Sequence, residues 1–175
     1  RVQLIFHERN KGYGAALRSG FRHATREWIF YTDGDGQYDV RELAELLDKA
    51  GEDVDAVFGY KISRHDPAYR IAIGITYRDL MRWLFGFHTR DLSCDFRLIR
   101  RSALQGIDLD LDSGAICVKL VLELERAGAR IAECPVHHYE RRYGRSQFFR
   151  PRHLAATAIE LIKYWRARSG RHGRR

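Results

Sequence analysis

From residue 2 to residue 59, short apolar runs alternate with segments of helical period. That alternation restricts the fold more than any other feature of the chain. Residues 2–6, 28–32 and 54–59 have the composition of strands. Residues 15–25 and 40–50 repeat apolar side chains at helical spacing, with Ala16, Leu17 and Phe21 on one stripe and Leu43, Leu46 and Leu47 on the other. A β-α-β-α-β order implies an α/β fold, a mainly parallel sheet flanked by helices. In such sheets ligands bind outside the carboxyl ends of the strands.

The second strand-like run ends in Thr32-Asp33-Gly34-Asp35-Gly36-Gln37. Carboxylates at i and i+2 of an extended segment share one face, so Asp33 and Asp35 point the same way at a strand's carboxyl end. Two hard anionic ligands suit Mg²⁺ or Mn²⁺, which keep positions open for phosphate oxygens. The glycines among them, Gly34 and Gly36, let a diphosphate approach the backbone. Three other chemistries share this pattern. An EF-hand loop needs glycine at its sixth position and glutamate at its twelfth, where Tyr38 and Ala44 stand. A haloacid-dehalogenase-type phosphatase also places DxD after an apolar strand, but Gln37 stands where threonine or valine is usual there. Plain turn chemistry of Asp-Gly pairs needs no metal.

Further along, residues 69–87 interleave Ile71, Ile73, Ile75, Leu80, Trp83 and Leu84 with Arg70, Arg78 and Arg82. This suits a helix on a membrane surface, and equally a core helix with snorkelling arginines. Residues 93–99 read as a strand, 115–127 as a helix, 130–136 as a last strand and 153–168 as a final amphipathic helix. Gly12-Tyr13-Gly14 does not complete a dinucleotide fingerprint, because Leu17 holds the third glycine position. His137 and His138 have no carboxylate or cysteine at ligand spacing and read as loop groups rather than a zinc site. The cations from Arg141 to Arg145 lie on a glycine-containing loop and could clamp a phosphate bidentately.

A formal net charge of +8 favours anionic partners. Nucleic acid is not expected among them, since no recognition module is present. Cys94, Cys117 and Cys134 are scattered, which argues against a disulfide framework and a zinc site and for a reducing compartment. No apolar run approaches the roughly 18 residues that span a bilayer, and no signal peptide is evident. The chain starts at Arg1 in a strand-like run and its one methionine is Met81, so it is expected to be part of a longer protein.

In order along the chain, Asn10-Lys-Gly-Tyr-Gly-Ala-Ala-Leu-Arg-Ser-Gly20, Thr32-Asp-Gly-Asp-Gly-Gln-Tyr-Asp39, Gly59-Tyr-Lys61, Asp91-Leu-Ser-Cys-Asp-Phe-Arg-Leu98 and Val136-His-His-Tyr-Glu-Arg-Arg-Tyr-Gly-Arg-Ser146 resemble family 2 glycosyltransferases of the GT-A fold, in particular their polyprenyl-phosphate (dolichol-phosphate mannose synthase-like) branch. The resemblance implies one catalytic domain over residues 1–168, incomplete at its start, and a basic tail over 169–175. It implies that Asp33, Asp35 and Gln37 hold Mg²⁺ or Mn²⁺. Lys11 and Gly12 would lie on the nucleotide side, and Lys61, Arg142, Arg145 and Ser146 near the phosphates. Lys61 stands where the family often carries arginine, which keeps the charge but loses the fork.

The implied reaction is single displacement of a hexose, with inversion, from a nucleotide-sugar to a lipid phosphate. An ionised phosphate needs no strong base. A saccharide hydroxyl would need one, and Asp91 or Asp95 would supply it. The implied location is cytoplasmic, against the inner face of the plasma membrane. A non-catalytic nucleotide-sugar-binding fragment is the alternative.

Overall fold

The computed structural model describes residues 2–64, 68–141 and 151–172. The chain divides into two compact units, one of Arg1–Thr25, Asp108–Leu120 and Ser146–Arg175, the other of Arg26–Ile107 and Val121–Arg145. The elements in chain order are α1 (Tyr13–His23), β1 (Trp28–Thr32), α2 (Leu43–Asp48), β2 (Ala56–Arg64), α3 (Ala68–Phe85), β3 (Phe96–Arg100), α4 (Ala115–Arg126), β4 (Ile131–His138) and α5 (Pro151–His172). The alternation read from the sequence is present from residue 13 onward, as α1-β1-α2-β2, in a mixed α/β chain with a sheet and helices.

In the second unit four strands form one sheet in the order β1-β3-β2-β4. β1 and β2 both pair antiparallel with β3, and β4 pairs parallel with β2. Thus β1, β2 and β4 run in one direction, as expected, but the expected mainly parallel pairing is corrected: the inserted β3 makes two of the three ladders antiparallel. The physical reason lies in the path through α3. The chain leaves β2 at one sheet edge and re-enters at that same edge, because Phe96, which begins β3, pairs with Thr32, which ends β1. A parallel return needs a crossover to the opposite edge.

Alternation of side chains gives this sheet two faces. On one, Val57, Phe96, Leu98, Cys134 and Val136 are buried against Leu46 of α2, with Phe30 edge-on to Phe96 at 4.7 Å. On the other, Arg97 is fully buried between its ladder neighbours Tyr31 and Phe58, its guanidinium 4.9 Å from the Phe58 ring centroid. Gly59 is required by close packing, since a Cβ there would lie 2.9 Å from Phe96 O and 3.0 Å from Val136 Cγ2.

The predicted strand at residues 2–6 is not a strand; Val2, Leu4 and Phe6 are exposed. A strand needs a ladder partner as well as composition, and this segment pairs with none of the described strands. The α1 stripe is also shifted, with Gly14 and Ala15 buried and Ala16 exposed. Gly14 N donates to Asp112 O at 2.9 Å, and a Cβ on Gly14 would collide with Leu111 O. This backbone contact turns the glycine side of the helix inward. The segment 40–50 splits into a 3₁₀ turn, Val40–Glu42, capped by the Asp39 carboxylate, and then α2. His137 and His138 belong to β4 rather than to a loop.

Candidate active site

The sheet edge where β1, β2 and β4 end and β3 begins gathers Asp33, Asp35, Gln37, Lys61, Asp91 and Asp95, six of the residues singled out by sequence. Asp33 follows Thr32, the ladder partner of Phe96, and Asp95 precedes Phe96, so these two carboxylates stand on adjacent strand ends.

Asp35 closes a small turn on itself, its Oδ1 accepting from Gln37 N at 3.1 Å. Gln37 then zips the turn to the segment after β4. Tyr139 N donates to Gln37 O at 2.8 Å, and Gln37 Nε2 donates to Tyr139 O at 3.1 Å. Arg141 Nη2 donates to Asp35 Oδ2 at 2.6 Å and to Gln37 Oε1 at 3.2 Å. Two oxygens predicted as metal ligands therefore converge on one cationic atom. Among the described residues a Cβ on Gly34, between the carboxylates, or on Gly36, after them, would meet nothing within 4 Å.

Among the described residues no group of three or more His, Cys, Asp or Glu side chains is arranged to hold a metal alone. Asp33, Asp35 and Gln37 fit a hard divalent cation whose remaining ligands are phosphate oxygens and water, the usual Mg²⁺ arrangement, rather than a closed protein cage.

Asp91 and Lys61 form a second cluster at the same edge. Asp91 Oδ1 accepts from Ser93 N at 2.9 Å and Ser93 Oγ at 2.8 Å. Lys61 Nζ donates to Ser93 O at 2.8 Å and Ser93 Oγ at 2.9 Å, and lies 3.8 Å from Asp91 Oδ2. Both side chains are about nine-tenths buried, 10% and 8% exposed. A bulge between Lys61 and Ser63 in the β2–β4 ladder falls beside this contact, as bulges do where a side chain must be re-aimed. Here Lys61 secures the 91–93 turn rather than standing open to a diphosphate. Asp91 likewise is a turn-closing carboxylate with its oxygens occupied.

Behind this turn lie Tyr38, partly buried, and Cys94, buried. Burial, then the charges of Cys94 and Asp95, holds the Tyr38 phenol well above its usual range. Burial, then Asp91, pushes the Cys94 thiol up to about 12. Arg97 ties the turn to β1, donating to Leu92 O at 2.7 Å and to the Tyr31 hydroxyl at 3.0 Å.

Lys11 and Gly12 lie in the first unit, where with Arg9, Asn10, His7 and Ser19 they line a cavity of about 340 Å³. Gly12 has φ 93°, with a Cβ position blocked by Asp112 O. Arg142, Arg145 and Ser146 lie outside the described residues. Sequence reasoning named Arg141 only within a cationic cluster and missed Ser93, Tyr139 and Arg97. Ser93 meets Asp91 in a local turn, but its contact with Lys61, that of Tyr139 with Gln37 and that of Arg97 with Tyr31 are made between distant segments, where no local pattern signals them.

A strand-end Asp-x-Asp pair stands beside glycine backbone on an α/β sheet, the arrangement that the sequence leads one to expect of a metal–diphosphate site. Residues 1–107 match the glycosyl transferase family 2 domain, and the chain belongs to that family. The fold is similar to glucosyl-3-phosphoglycerate synthase from Mycobacterium tuberculosis. Its complex with phosphoglyceric acid aligns at TM-score 0.64 and 18% identity, over 91% of this chain and 55% of that one. Its complex with Mn²⁺, UDP-glucose and phosphoglyceric acid aligns at 0.62 and 17%, over the same shares. Its complex with Mg²⁺ and UDP aligns at 0.61 and 18%, over 86% and 52%. The chain thus spans about half the length of these proteins.

Proposed function

We propose that this chain transfers a hexose from a nucleotide-sugar to a polyprenyl phosphate at a membrane surface, with inversion, and that Asp33, Asp35 and Gln37 hold Mg²⁺ or Mn²⁺ for that reaction. The observation that carries the acceptor class is the state of Asp91. A carboxylate 7% exposed, held by Ser93 N and Oγ and faced by Lys61, is not placed to take a proton from a hydroxyl. An acceptor that arrives as an ionised phosphate needs no such base.

The chain's residues orient and neutralise. Asp33, Asp35 and Gln37 would hold a divalent cation, which when bound would supply Lewis-acid charge against the leaving diphosphate. Gln37 and Tyr139 fix the turn that presents Asp35, and Arg97 and Lys61 hold the 91–95 turn beside it. The membrane part of the reading is supported by α3, where Trp83 is 81% exposed and Ile73 and Leu80 share its outward face. Such a face seats at head-group level. Among the described residues no helix is long and apolar enough to cross a membrane.

A second reading takes a small phosphorylated acceptor with a hydroxyl nucleophile. It is favoured by the complexes of the Mycobacterium tuberculosis enzyme with phosphoglyceric acid and glycerol 3-phosphate. Asp95, at the strand end beside Asp33, would then be the base.

The test is transfer from a panel of GDP- and UDP-sugars into a butanol-extractable lipid with Mn²⁺, run beside Asp35→Asn, 3-phosphoglycerate and glycerol 3-phosphate. Metal-dependent lipid product lost in Asp35→Asn is expected. Product only with the soluble phosphates, lost in Asp95→Asn, would replace the first reading by the second. Failure to bind any nucleotide-sugar with Mn²⁺ would overturn both.

A further inference from the structure

We infer that Arg141 is a cationic placeholder on the metal-binding turn, so that a divalent cation can bind only by displacing it. This rests on the reading of residues 33–37 as a metal–diphosphate site. Arg141 Nη2 lies 2.6 Å from Asp35 Oδ2 and 3.2 Å from Gln37 Oε1, so one positive nitrogen already stands where these oxygens converge. A small divalent cation takes oxygens at roughly 2.0–2.1 Å. It and the guanidinium nitrogen would occupy overlapping positions, and their charges repel. The pair is half-sheltered, the Arg141 side chain 30% and the Asp35 side chain 18% exposed, so water screens it only in part.

Displacement has a consequence for the donor. A guanidinium released beside the cation faces the anionic oxygens that the cation attracts, and its planar fork matches them. Diphosphate then stabilises the displaced arginine as well as the metal, and each ligand raises the affinity of the other by the same factor. Arg141 thereby makes metal binding weak without a donor and tight with one. No bond is made or broken in this exchange; one cation–carboxylate contact replaces another.

The test is Mn²⁺ binding by paramagnetic resonance titration to the whole chain and to Arg141→Met, with and without UDP. Arg141→Met should bind Mn²⁺ alone more tightly, by roughly threefold to fivefold for a pair of this exposure. The enhancement by UDP should fall in the variant. If Arg141→Met does not fold, Arg141→Gln removes the same charge. A proton–nitrogen spectrum supplies an independent readout, since Mg²⁺ should shift the Arg141 guanidinium signal identified by its loss in the variant. A guanidinium signal unmoved at saturating Mg²⁺, or equal Mn²⁺ affinity in wild type and variant, would overturn the placeholder and leave the proposed function standing. Wild-type protein that fails to bind Mn²⁺ even when UDP or GDP is present would overturn both.

Discussion

Lys61→Met separates two roles that the sequence alone leaves merged. The ammonium lies 3.8 Å from Asp91 Oδ2 and donates to Ser93 O and Oγ. At an effective dielectric of about 20, two charges at that distance attract by about 4 kcal/mol. Desolvation of two nearly buried ions offsets much of this, so the pair adds little over an apolar replacement of both. Removing one partner is different, because Asp91 is then left buried without its cation, a loss of about 3–5 kcal/mol. The two donors from Ser93 remain on Asp91 Oδ1 and hold the loss to the lower end, about 3 kcal/mol. For a chain of this size that is a fall of roughly 6–12 °C in Tm. Urea unfolding by circular dichroism should show it, and Lys61→Met/Asp91→Asn should recover about 2 kcal/mol of coupling. UDP–Mn²⁺ affinity, measured in parallel below the transition, should change little. A stability loss under about 1 kcal/mol together with a large drop in donor affinity would refute the latch and restore Lys61 to the diphosphate.

Two further perturbations follow from the same edge. Gly59→Ala places a Cβ 2.9 Å from Phe96 O and 3.1 Å from Cys94 Sγ and should cost about 2 kcal/mol in urea unfolding, whereas Gly34→Ala meets nothing within 4 Å and should stay within about 0.5 kcal/mol. Gly34→Ala should nonetheless weaken UDP–Mn²⁺ binding, because its methyl group enters the open face; unchanged binding would remove that face from the donor site. The Cys94 thiol rises from 9.0 to about 12, and Tyr38 is raised as well. Both are neutral when protonated, so their stabilisation is complete below the unfolded thiol value and is lost as pH climbs from about 9 toward 12. Urea midpoints should hold level from pH 7 to about 8.5 and then fall, less steeply in Cys94→Ala; a level profile to pH 11 would contradict this burial.

What was legible in the sequence was whatever a local pattern encodes. Residues 28–35 read as a strand feeding two carboxylates because composition, period and glycines agree within eight positions, and the structure places Asp33 and Asp35 at the end of β1. The direction of β3 was not legible. Phe96 to Arg100 carries the same apolar signature whichever way it runs, and the pairing of Phe96 with Thr32 depends on where α3 returns the chain. Residues 2–6 show the same limit from the other side, a strand-like composition with no ladder among the described strands. The roles at the site divide in the same way. The spacing of Asp33, Asp35 and Gln37 states a metal chemistry, but nothing near Lys61 announces Ser93, thirty-two positions on, as its acceptor. The resemblance, through the charge at that position, therefore assigned Lys61 to a phosphate. The fold gave that charge a buried carboxylate partner and set Arg141, more than a hundred positions beyond Asp35, against the Asp35 and Gln37 oxygens. At this edge the cations are distributed by strand order rather than by sequence neighbourhood. That Lys61 meets the 91–93 turn follows from the antiparallel insertion of β3, whose direction the sequence does not encode.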